Sequence, residues 1–228
     1  MAANVKNVLV GAAQLFVSQG TGSNRPNTTV GASGLNWATQ KAAGYLDAQT
    51  DPSTGWRDLG YTSTGLEVSY EPSYGEVMLK TELSEGTLEN INLVFGQTSP
   101  IVQYSATTGS SYTLFSPATS TAASSANATL NLSAGALGDA PVERSLIAIG
   151  NAPANIGTVA SPQDVSSVTK KERVYIARRV VQVEVTSHAL KRDTATVFPV
   201  QFRCLPDDGD SYDGAEYGVI IDRVYSTL

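Results

Sequence analysis

The sequence predicts a mainly β, single-domain protein with one flanking α-helix at about residues 84–95 and long loop insertions. Three observations carry this reading. Apolar and polar residues alternate in short runs, most clearly Val181, Val183 and Val185 against Gln182, Glu184 and Thr186, and Phe198, Val200, Phe202 and Cys204 against Pro199, Gln201 and Arg203. A period of two sends one set to each face of a strand. One stretch, Ser84 to Phe95, has a strong helical period instead. The chain's 228 residues, 41% of them hydrophobic and 16% charged, lie inside the globular range and suit one sizeable β core with insertions better than two domains.

Taken in order, the first strand is expected over Val8 to Val17. It is followed by a Gly-, Asn-, Thr- and Ser-rich insertion from residue 18 to about 54, too long for an ordinary connection. Inside that insertion Trp37, Lys41 and Tyr45 recur at four-residue spacing, compatible with one or two helical turns broken by Gly44. After Trp56 to Tyr61, Leu66, Val68 and Tyr70 alternate with Glu67, Ser69 and Glu71, the pattern of a half-buried strand with one apolar and one acidic face. Pro72, Ser73, Tyr74 and Gly75 supply turn residues, and extended character resumes from Glu76 to Leu79, so the pair reads as a hairpin. In the helix that follows, Leu88, Ile91 and Phe95 share a face, Glu82, Glu85 and Glu89 favour its positive amino end, and Gly96 is placed to cap its carboxyl end.

The Ser/Thr/Ala-rich stretch 107–137 reads as short peripheral strands separated by loops. Within Glu143 to Gly150, the run Leu146 to Ile149 has the length of a buried strand, and a Pro-rich loop from Asn151 to Pro162 ends it. The alternating runs at 181–186 and 198–204, separated by a turn from His188 to Asp193, are expected to pair. Pro199 lacks an N–H, so its strand should be an edge there or carry a bulge. A last strand is expected over Tyr217 to Val224.

Charge is thin, and Ser, Thr, Asn, Gln and Gly carry the polar share, a composition that loses little on being covered by a neighbour. A net charge of −6 and a pI near 4.8 disfavour phosphate-backbone binding, which needs a clustered Lys/Arg footprint. The only basic candidates are Lys170, Lys171, Arg173, Arg178 and Arg179, and strand alternation would split them between two faces. A single cysteine precludes an intrachain disulfide. The residues up to Val10 lack a signal peptide's apolar region, and no window approaches the roughly eighteen apolar residues of a membrane helix. Synthesis in the cytoplasm and no membrane partner are therefore expected.

The chemical motifs are mostly absences. There is no phosphate-binding G-x-x-x-x-G-K-[ST], no G-x-G-x-x-G after a strand, no G-x-S-x-G elbow and no H-E-x-x-H. With His188 the sole histidine and Cys204 the sole cysteine, neither a zinc site nor a Cys–His dyad can be assembled from these residues alone. His188 reads as a solvated imidazole in a turn beside Lys191 and Arg192, and Cys204 as a small buried hydrophobe beside Phe202. The acidic run Asp207, Asp208, Asp210, Asp213 and Glu216 invites a calcium reading. Tyr212, however, occupies a ligand position and no Glu closes the twelve-residue loop, so a solvated hairpin tip is preferred. The triplets beginning at Asn27, Asn127 and Asn131 fit a glycosylation acceptor, as an Asn/Thr/Ser-rich chain does by chance. No catalytic residue, cofactor or metal is expected.

Several segments, in this order, resemble the major tail proteins of long-tailed phages: Val8-Leu-Val-Gly-Ala-Ala-Gln-Leu-Phe-Val, Gly55-Trp-Arg-Asp-Leu-Gly-Tyr-Thr-Ser-Thr-Gly-Leu-Glu-Val-Ser-Tyr-Glu-Pro, Leu83-Ser-Glu-Gly-Thr-Leu-Glu-Asn-Ile-Asn-Leu and the closing Tyr217-Gly-Val-Ile-Ile-Asp. The long insertion at 18–54 and the segment 107–137 depart from the compact pattern of that family.

The resemblance implies a β-sandwich or barrel-like tail tube fold with a flanking helix. Its subunits would assemble as stacked, hexameric rings into a hollow tube through which the genome leaves the capsid. The expected partners are further copies of the chain, then the tape measure, terminator and baseplate or tip proteins. DNA would pass through the lumen without specific binding, and the protein would reside in the virion tail. Glu67, Glu71 and Glu184 are candidates for an acidic lumen that repels phosphates. Asn24, Trp37 and Tyr45, in the long insertion, are candidates for contacts with the next ring. The rival readings are a bacterial type VI secretion or contractile-injection tube, a carbohydrate-binding β-sandwich or adhesin and, third, an enzyme using Asp208 or Asp210.

Overall fold

The computed structural model describes residues 11–18, 56–73, 75–97, 101–104, 109–112, 127–132, 142–152, 155–157, 162–164, 170–183, 192–193, 195–207 and 214–225. In chain order these form β1 (Gln14–Ser18), β2 (Trp56–Glu71), β3 (Glu76–Leu83), the helix α1 (Leu88–Val94), β4 (Ile101–Tyr104), β5 (Gly109–Tyr112), β6 (Asn127–Leu130), β7 (Arg144–Asn151), β8 (Asn155–Gly157), β9 (Pro162–Asp164), β10 (Lys170–Gln182), β11 (Phe198–Leu205) and β12 (Gly218–Tyr225). The protein is mainly β, with a single short helix among the described residues.

Seven strands make one antiparallel sheet in the order β11-β3-β2-β1-β7-β10-β12, and β10 also pairs with β11. The long β10 makes this possible by dividing one of its edges between two partners. Residues Lys170 to Ala177 pair with β12, and Arg179 to Gln182 pair with β11. Hydrogen-bonded ladders therefore link β11, β3, β2, β1, β7 and β10 in a circuit, with β12 attached outside it. Smaller sheets are formed by β5-β4-β6 and β8-β9.

Alternation distributes the apolar side chains between two clusters. Leu15 and Val17 of β1 join Leu146 and Ala148 of β7, Ala177 and Val180 of β10, and Phe198, Val200, Phe202 and Cys204 of β11 in the main core. Phe16, between the two β1 residues, turns to the opposite face, where it meets Ile147, Val174 and Ile176. The central strands are thus apolar on both faces, which is why β7 and the middle of β10 read as continuous hydrophobic runs.

α1 closes against the main core through Leu93 and Val94. It begins later than expected. Thr87 caps it, accepting the Asn90 N–H at 3.2 Å, whereas residues 84–86 are not helical. The buried side is also shifted: Asn90, Asn92, Leu93 and Val94 are buried, while Leu88, Ile91 and Phe95 are half-buried. Asn90 can be buried because its Nδ2 donates to the carbonyls of Leu59 (3.1 Å) and Glu85 (3.0 Å). Gly96 caps the carboxyl end at φ +61, as expected, and donates to the Leu93 carbonyl at 2.9 Å.

Other expectations need correction. The β1 ladder begins at Gln14, and residues 8–10 of the expected strand lie outside the described residues. The carboxyl-terminal alternation belongs to a strand that starts at Lys170 and ends at Gln182; Val183 follows it, and Glu184 and Val185 lie outside the described residues. Within the Pro-rich loop, β8 and β9 pair with each other. β11 does pair with β10, and Pro199 lies where β11 is bonded to β3 but not to β10, so among the described residues it is a one-sided edge there.

Candidate interaction surface

The hairpin of β2 and β3 runs from Leu66↔Thr81 to Glu71↔Glu76. Its far half has a different environment from the rest of the sheet. Leu66 packs on the main core, but Val68 is 37% exposed and Tyr70 63% exposed, so the apolar face expected to be half-buried opens to solvent toward the tip. Glu67 and Glu71 stand exposed on the other face. Glu67 is opposite Lys80, whereas Glu71 is opposite Glu76, whose carboxylate is held by Arg203 at 2.7 Å.

Across from the hairpin lies β12. Between them an open cleft of about 230 Å³ is lined by Val68, Tyr70, Tyr175, Cys204, Tyr217 and Ile220, among others. Ile220 is 61% exposed. Sequence reasoning missed this residue because Val219, Ile220 and Ile221 form an unbroken apolar run. Val219 and Ile221 pack on the second cluster, which leaves Ile220 on the cleft side.

Both walls of this cleft end in open strand edges. β2 meets β1 over Trp56 to Tyr61, and Thr62 donates its N–H to the Ala13 carbonyl at 2.8 Å. Beyond that point, from Leu66 to Glu71, the β1 side of β2 has no strand partner among the described residues. β12 is the last strand of the sheet and, among the described residues, pairs with β10 alone. Its unpaired edge lies on the side where β10 goes on to pair with β11, and the unpaired edge of β2 lies on its β1 side. Open edges carrying exposed apolar residues are surfaces that recruit another strand.

The arginines considered as a basic stripe are individually engaged. Arg173 makes a bidentate pair with Asp222 of β12 (2.6 and 2.7 Å), and that hydrogen bond raises its pKa. Arg179 pairs with Glu143 in the same manner at 3.0 and 2.8 Å. Arg178 is buried and donates Nε to the Ala215 carbonyl at 3.0 Å. Arg144, also buried, has its pKa lowered to about 10 by desolvation, still far enough above neutrality to stay charged.

Cys204 is a buried free thiol, as its apolar face implied, and burial pushes its pKa up to about 12. Of the acidic run, Asp207 is buried with its N–H on the Glu216 carbonyl at 3.0 Å. The Glu216 carboxyl lies below the usual range because it accepts backbone N–H groups, its own and that of Gly214. Glu184, Asn24, Trp37, Tyr45, His188, Asp208 and Asp210 lie outside the described residues. Among the described residues no group of three or more His, Cys, Asp or Glu side chains could hold a metal ion, and no helix is long and apolar enough to cross a membrane. A scan against protein-family models finds no match to this chain, and a search of curated proteins finds none either.

Proposed function

We propose that the chain is a self-assembling structural subunit, the repeating unit of a phage tail tube, in which hexameric rings stack into a conduit for genome delivery. The observation that supports it is a pair of strand edges without a partner among the described residues, one beside the exposed Val68 and Tyr70 and the other beside Ile220. Edges placed in this way are filled when copies associate head to tail, and closing a ring removes them all together.

In this reading the barrel-like circuit is the rigid body of each subunit, and the acidic face bearing Glu67 and Glu71 lines the lumen, with Glu184 as a further contributor. Like charge keeps DNA phosphates from adhering during passage. The insertion with Asn24, Trp37 and Tyr45 contacts the next ring. The remaining partners are the tape measure, terminator and baseplate or tip proteins, and the location is the virion tail after synthesis in the host cytoplasm.

Negative-stain electron microscopy of the purified protein at rising concentration tests the reading. Rings or hollow tubes of uniform width are the expected result. A protein that stays monomeric at high concentration, alone and with the other tail proteins, would refute it.

A further inference from the structure

We draw no further inference here: the strongest candidate, the apolar cleft between the β2–β3 hairpin and β12, lined by Val68, Tyr70, Cys204, Tyr217 and Ile220 among others, carries none because nothing in the structure shows what covers it.

Discussion

Arg178 has 2% of its surface exposed and stands where β10 changes partner from β12 to β11. Its N–H donates to the Tyr217 carbonyl at 3.3 Å, its Nε to the Ala215 carbonyl, and its own carbonyl accepts from the Ser145 hydroxyl. A charged group can occupy that position only because backbone carbonyls receive it. Nothing in the sequence separates Arg178 from its exposed counterparts, since the carbonyls that satisfy it are contributed by residues 37 positions away. Cys204 is the opposite case. Its place in the alternation with Phe198, Val200 and Phe202 marked it as buried, and it has 4% exposure. Burial raises its thiol pKa from 9.0 to about 12, so the folded protein holds a proton that the unfolded chain releases. That contribution is complete below about pH 9 and is lost as pH rises toward 12, by about 1.4 kcal/mol per pH unit. Cys204→Ala should therefore cost stability at neutral pH through its cavity, and the gap from the parent should shrink between about pH 9 and pH 11. Denaturant titrations of both proteins at several pH values measure this, and a gap that stays constant would show that the thiol does not carry the effect.

At the scale of elements, legibility followed the number of buried faces. β11, with one buried face, was read correctly from its period of two. β10 was not: its run from Val174 to Ala177 supplies both clusters and shows no alternation, and the flanking charges resemble a solvated loop until Arg173 and Arg179 are seen to be paired with Asp222 and Glu143. The helix was found, but its register against the sheet was not, because buried Asn90 depends on the Leu59 carbonyl. β12 was anticipated, and its docking turns on one glycine. Gly218 has φ +144, and a Cβ there would meet the Ile176 carbonyl oxygen at 1.8 Å and Ala177 Cα at 3.2 Å. Both contacts are backbone, so no side chain can move aside. Gly218→Ala should add roughly 1–3 kcal/mol of local strain and lift the start of β12 off β10. Hydrogen exchange should then quicken across β12 while the β2–β3 ladder keeps its protection. Unchanged protection in β12 would mean that β10 yields instead.

For the whole molecule, the circuit of six strands joins segments that the chain separates widely: β1 pairs with both β2 and β7, and β11 returns to β3. No local pattern announces such pairings, which is why the mainly β class and several strands were legible while the closure through β10 and β11 was not. The candidate surface was legible only in part, through the acidic face at Glu67 and Glu71. The strand edges left without a partner among the described residues follow from where the β1 ladder begins, at Gln14, and from where β12 is attached. That topology makes a prediction about the division of labour. Because β12 lies outside the circuit, removing the chain from residue 218 onward leaves the ladder between β10 and β11 intact. The shortened protein should still unfold cooperatively, at a lower temperature because Val219 and Ile221 no longer cover the second cluster. It should not form rings at any concentration, since one of the two edges is gone and the exposed edge of β10 carries a different register. Scanning calorimetry and electron microscopy of the same sample separate the two effects. Rings assembled from the shortened chain would mean that the contact between copies lies elsewhere, and loss of the cooperative transition would mean that β12 belongs to the folding core and not only to its rim.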